Sequence, residues 1–173
     1  TRTGRYPGAA YVFTRSDGTW SQQAKLTGDE DAEYDDHFGW SIAAGSETSV
    51  IIGAPKYKNS DHSAGAAFVF TQSDGTWSQE KRLIPDDGVD DDLFGWSVAL
   101  RGIVALVGAI DDTPGTSESE PTTGEGVGAA YLFKRREGTW SQEVKLPEGG
   151  GEYADYADFG SAVALTDNRA FVG

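Results

Sequence analysis

Apolar residues in this chain fall in short runs broken by polar turns. Ala66-Ala67-Phe68-Val69-Phe70 leads through Ser73-Asp74-Gly75 into a polar stretch, Thr76–Leu83. Read as a strand, that stretch sets Trp77, Gln79, Lys81 and Leu83 on one side and Ser78, Glu80 and Arg82 on the other. Asp-Gly between two such runs is a hairpin signal, because Gly takes the positive φ of a primed turn. The whole pattern recurs as GAAYVFTRSDGTWSQQAKL from Gly8, GAAFVFTQSDGTWSQEKRL from Gly65 and GAAYLFKRREGTWSQEVKL from Gly128, with starts 57 and then 63 residues apart. A period of that size means one supersecondary unit that buries its apolar face against its neighbours.

A second string alternates with the first. Phe38-Gly39-Trp40-Ser41-Ile42-Ala43-Ala44 is answered by Phe94-Gly95-Trp96-Ser97-Val98-Ala99-Leu100 and by Phe159-Gly160-Ser161-Ala162-Val163-Ala164-Leu165. Each leads through a polar turn to a β-branched or apolar run, at Val50, Val104 and Ala170. One full unit, Phe38 to Leu83, therefore predicts four strands, 38–44, 49–54, 66–71 and 76–83. No segment holds a 3.6-residue period, so almost no helix is expected. Four antiparallel strands repeated about an axis describe a β-propeller blade, and the fold class is all-β. The chain, residues 1–173, is expected to be a single propeller segment of about three blades, with repeat units near 8–64, 65–127 and 128–173.

Phe-Gly followed by a strand and a Gly-Ala-Pro ending resembles the FG-GAP repeat of integrin α-subunit propellers and many secreted or surface propellers. Phe38-Gly39 with Gly53-Ala54-Pro55 carries the full pattern. Phe94-Gly95 with Gly108-Ala109 has Ile110 in place of the proline, and Phe159-Gly160 ends at Gly173. The GAAYVF and GTWSQ blocks are closer to prokaryotic members than to integrins. Integrin-type blades carry a DxDxDG-like calcium loop between the FG and GAP strands. Here those turns are Gly45-Ser46-Glu47-Thr48, Arg101-Gly102 and Thr166-Asp167-Asn168-Arg169, which lack the spaced oxygen ligands Ca²⁺ needs.

The chain starts near the third strand of a blade and stops inside the second, so one blade is expected to be split between the termini. Three blades are fewer than the four to eight of a closed ring. The expectation is therefore a segment of a larger ring, on a longer chain or between copies sharing split blades, since free sheet edges invite association.

Charge changes the picture of the surface. Twenty-eight acidic against 14 basic residues leave a formal charge of −14. Such a surface repels phosphates and anionic lipid, so neither nucleic acid nor membrane insertion is expected. Asp in excess of Glu, with few lysines, resembles salt-adapted proteins. At molar salt the Debye length shrinks to about 3 Å, which suppresses self-repulsion. The acid concentrates before the FG strings, so Ca²⁺ binding has candidates in Asp36, Asp90, Asp92, Asp155 and Asp158. Their register slips: two residues before Phe stand Asp36, Asp92 and Ala157. A solvated acidic rim is the preferred reading, with no cofactor.

Catalysis finds little support, and a non-enzyme is expected. His37 and His62 sit in polar loops, the Asp61-His62-Ser63 neighbours do not make a triad, and no nucleophile elbow is present. Gly124–Gly128 and Gly149–Gly151 precede no Lys-Ser/Thr and are not phosphate loops. There is no cysteine, hence no thiol chemistry. No secretory signal or long apolar run appears; a location outside the cell or on its surface follows from the resemblance alone. Trp20, Trp77 and Trp140 recur after the hairpin Gly and are expected to pack between blades. Trp40 and Trp96 recur after FG, with Ser161 in the third copy, and are candidates for contact with a partner. The polar insertion 110–126 breaks the repeat and adds Asp111, Asp112, Glu118 and Glu120 to those candidates. The expected function is protein–protein interaction, adhesion or surface assembly. Alternatives are a carbohydrate-binding propeller and an accessory domain of a larger secreted enzyme.

Overall fold

The computed structural model describes residues 8–29, 35–58, 63–112, 126–146 and 158–173. Twelve strands and no helix occur among them: β1 (Ala10–Ser16), β2 (Thr19–Leu26), β3 (Ser41–Ser46), β4 (Ser49–Ala54), β5 (Ala66–Ser73), β6 (Thr76–Leu83), β7 (Phe94–Arg101), β8 (Val104–Ala109), β9 (Ala129–Arg136), β10 (Thr139–Leu146), β11 (Val163–Leu165) and β12 (Ala170–Val172). Two four-stranded antiparallel sheets, β3-β4-β5-β6 and β7-β8-β9-β10, are the blades that the repeat predicts. The hairpins β1-β2 and β11-β12 stay as separate two-stranded sheets, so the split blade is not joined within the chain and the arc is not closed.

Strand bounds differ from expectation mainly at the FG string. Phe38 and Phe159 lie outside their strands. Each forms an isolated parallel bridge to the glycine that opens the preceding GAA block, Gly8 and Gly128, as Phe94 does to Gly65. The repeat thus stitches each FG corner to the blade before it. The hairpin signal holds: Asp74 and Gly75 take φ of 50° and 79°, and Asp17-Gly18 and Glu137-Gly138 repeat this.

Simple alternation fails in the fourth strand of each blade. Val69 pairs with Lys81 and Phe70 with Gln79, so Glu80 is the extra residue of a β-bulge. Gln23 and Glu143 are bulged at the same place, between Gln22 and Ala24 and between Gln142 and Val144. The bulge turns Glu80 toward the neighbouring blade instead of leaving it with Ser78 and Arg82.

The core lies between blades. Ile51, Val69 and Leu83 of one sheet pack with Phe94, Val98, Val107 and Tyr131 of the next. Within a blade, Phe38 meets Phe68 edge-on at 5.3 Å, and Phe94 meets Tyr131 at 5.4 Å. These inner faces bury large aromatic area, worth roughly 2–3 kcal/mol per ring. Close approach is what fixes Gly53 and Gly108: a Cβ at either would strike the carbonyl oxygen of Gly95 or Gly160 in the next unit. The serines opposite complete the junction, Ser41 donating to Gly95 O at 2.8 Å and Ser97 to Gly160 O at 2.6 Å.

Candidate interaction surface

Antiparallel order brings the start of strand one, the end of strand two, the start of strand three and the end of strand four to one end of each blade. The FG corners, the loop at 84–93 and the described residues 110–112 and 126–128 therefore share an end, and with them Trp40, Trp96, Asp111 and Asp112. There the rings form a row across two blades. His37 stacks on Trp40 at 5.7 Å and 14°, and Trp40 meets Trp96 at 4.7 Å. Trp40 is 50% exposed. In the next unit Ser161 replaces the tryptophan and Asp158 the histidine, so the row gives way to carboxylates. Burial lifts the Asp111 carboxyl above the usual range, and the charges of Asp158 and Asp91 lift it further.

Behind this end lies a buried polar network with two versions. In the first blade Tyr57, buried against Phe68, accepts a hydrogen bond on its hydroxyl oxygen from Arg82 at 2.5 Å, and Arg82 pairs with Asp29 at 2.6 Å. In the second blade Asp112 stands at the place of Tyr57, Tyr131 at that of Phe68 and Lys145 at that of Arg82. The hydroxyl has moved from loop to strand: Tyr131 lies within hydrogen-bond distance of Asp112, and of Asp87 at 3.1 Å. Lys145 Nζ is 2.9 Å from Asp87 and 2.8 Å from Asp112. Burial pulls the Lys145 pKa down, but the two carboxylates outweigh it and hold the ammonium charged. Burial and both carboxylates push the Tyr131 hydroxyl far up, so it remains a donor.

Asp112 is 2% exposed and belongs to this network, so it is not available to a partner. Loop truncation that preserves the fold must begin after it. Asp36 and Asp92, the calcium candidates two residues before Phe, are equally buried at 1% and 2%. Asp92 accepts the Val89 N–H at 2.7 Å, while its other oxygen has no hydrogen-bond partner among the described residues. Burial lifts its pKa to about 7; the Val89 bond opposes this and Asp112 adds to it. Asp90 accepts the Ser63 N–H at 2.6 Å, and Asp158 is exposed. Asp155, Glu118 and Glu120 lie outside the described residues. Among those described, no group of three or more His, Cys, Asp or Glu side chains is placed to hold a metal ion.

Trp77 and Trp140 pack between units as expected, with a partner that alternation alone misses, whereas Trp20 does not. Trp77 Nε1 donates to Gln23 Oε1 at 3.0 Å and Trp140 Nε1 to Glu80 Oε1 at 3.2 Å. Each indole thus bonds the bulge residue of the preceding unit, and Arg135 joins Glu80 as an ion pair. Trp20, the first in the series, is 65% exposed. Between β6 and β10 runs an open groove of about 440 Å³, lined by Asp29, Lys81, Arg82, Asp86 and Trp140 among others.

Repeated blades, FG corners that bridge consecutive units and glycines that admit the next unit's backbone define a β-propeller repeat protein. The FG-GAP repeat profile matches residues 20–70 and 77–133, and the chain belongs to that family. No curated protein matches the chain. No described helix is long and apolar enough to cross a membrane.

Proposed function

We propose that this chain is a non-catalytic propeller module outside the cell or on its surface, and that it binds a protein partner at the FG-corner end. The row His37–Trp40–Trp96 running into Asp91, Asp111 and Asp158 carries this reading. Exposed indole faces beside carboxylates suit cationic side chains, which gain from both ring quadrupole and charge. A basic segment of a partner is the matching chemistry. The rigid inter-blade core holds the row in place without ordering cost on binding. Carbohydrate binding is the second reading, because the half-exposed face of Trp40 also suits a sugar ring.

The test compares the chain with a Trp40→Ala/Trp96→Ser double variant at molar salt, on arrays of basic peptides and of glycans. Binding of Lys- and Arg-bearing peptides, lost in the variant, supports the reading. Capture of one sugar family, lost in the variant, replaces it with the lectin reading. Equal binding by both proteins removes this surface from consideration.

A further inference from the structure

The two whole blades pack closely along their inner strands, β3 and β4 against β7, and part toward their outer ones. β6 and β10 are the outermost strands of these sheets, and the open groove between them holds about 440 Å³. That volume falls within the range of about 300–1,000 Å³ typical of small-ligand sites. Leu83, Phe133 and Trp140, each at most 6% exposed, give it an apolar floor. Its polar walls are fixed by bonds to one another. Asp29 accepts from the Gln79 amide at 2.5 Å and from the Arg82 guanidinium at 2.6 Å, so both of its oxygens are taken. Gln142 Oε1 accepts the Asp86 N–H at 3.0 Å, which leaves its Nε2 as a donor. Lys81 also lines the groove; it is exposed and makes no ion pair among the described residues.

We propose that this groove binds an acidic carbohydrate, with a uronate carboxylate on Lys81 and ring hydroxyls on the planar side chains of Gln79 and Gln142. Donors dominate the walls: the Lys81 ammonium, the Arg82 N–H groups not used by Asp29 and Tyr57, and Gln142 Nε2. An anionic group matches that excess. Asp86, on the loop beyond β6, and Gln79 Oε1 need donors in return, which sugar hydroxyls supply and a simple anion does not. The apolar face of a pyranose ring fits the floor at Trp140. Wall side chains that already hold one another lose little freedom on binding. A peptide strand suits the groove less well, because the bulges at Glu80 and Glu143 interrupt the edges along which it would pair. The groove also stands apart from the proposed partner surface and does not depend on it. Strand order puts β6 and β10 at the opposite sheet edges from β3 and β7, beside which the Trp40–Trp96 row lies.

Calorimetric titration tests the site with three probes: tetragalacturonate, the neutral sugar maltotetraose, and tetraglutamate, which is acidic but not a sugar. Molar salt is used, so that repulsion by the formal charge of −14 is screened. The expected result is binding of tetragalacturonate in clear preference to the other two. Lys81→Gln should weaken it about tenfold or more, the worth of one charge-assisted hydrogen bond. Gln142→Ala should weaken it about threefold or more. Neither residue is buried, and an unchanged melting temperature shows that each variant keeps the fold. The Trp40→Ala/Trp96→Ser variant should bind tetragalacturonate as the parent does, which separates this site from the partner surface. No binding of tetragalacturonate, or equal affinity in Lys81→Gln, overturns the proposal. Equal binding of maltotetraose overturns it by removing the acidic requirement, and equal binding of tetraglutamate by removing the sugar. Loss of binding in the tryptophan double variant overturns it too, by moving the site to the FG-corner end.

Discussion

Replacing Asp92 with Asn tests the buried network quantitatively. The carboxyl is 2% exposed and its pKa rises from 3.8 to about 7, burial being the main cause. A folded pKa above the unfolded one means that the folded chain keeps a proton which the unfolded chain has already released. Stability from this group is therefore complete below about pH 4 and is lost as pH rises through 7. The full loss is about 4 kcal/mol, at ~1.4 kcal/mol for each tenfold step. Asparagine has nearly the same shape, keeps an oxygen for the Val89 N–H and cannot ionise. Urea unfolding of both proteins at fixed molar salt, from pH 5 to pH 8, isolates the effect. Asp87 stays ionised throughout that range: burial works against its charge, but Lys145 outweighs burial and holds its pKa below the usual value. The advantage of Asp92→Asn over the parent should grow by about 2–3 kcal/mol across the range. Parallel stability curves, or a variant that is the less stable at pH 8, would refute the assignment of a buried carboxyl with one oxygen left without a hydrogen bond.

Other outcomes follow from the junctions. Gly108→Ala drives a Cβ into the Gly160 carbonyl, a backbone atom that cannot rotate aside; a loss of about 2–4 kcal/mol in thermal or urea unfolding is expected. Trp140→Phe removes the bond to Glu80 but keeps most of the buried ring, and should cost about 1 kcal/mol in the same assay. Tyr131→Phe takes the donor from between Asp112 and Asp87 and should cost about 1–3 kcal/mol. Raising KCl from roughly 0.1 M to 2 M should increase the melting temperature, because screening relieves the repulsion of a −14 surface. A flat or falling response would count against the salt-adapted reading.

Much of the fold was legible in the chain, because its signals are local. Asp-Gly turns, runs of alternating and β-branched residues, and a recurring string report strands and blades without any knowledge of distant contacts. The same locality explains what stayed hidden. The bulge at Glu80 leaves no mark in an alternating pattern, yet it decides that this carboxylate meets Trp140 and Arg135 of the next blade. Asp112 reads as one more acid in a polar insertion. Only the packing shows that it is buried and bonded to Tyr131, the tyrosine that stands where the other blade has Phe68. The signal was present in the alignment of the copies as a paired exchange, Tyr57/Phe68 for Asp112/Tyr131, but its meaning depended on which side chains touch.

Repeat number, strand order and the identity of the hairpin turns were determined by the sequence alone, since each rests on the conformational preferences of a few adjacent residues. Which acids are buried and which are exposed, which tryptophan meets which bulge, and where aromatic faces remain open were decided only by tertiary structure. Burial and pairing depend on residues some 50 to 65 positions apart, and a local pattern carries no information about its partner in the next blade.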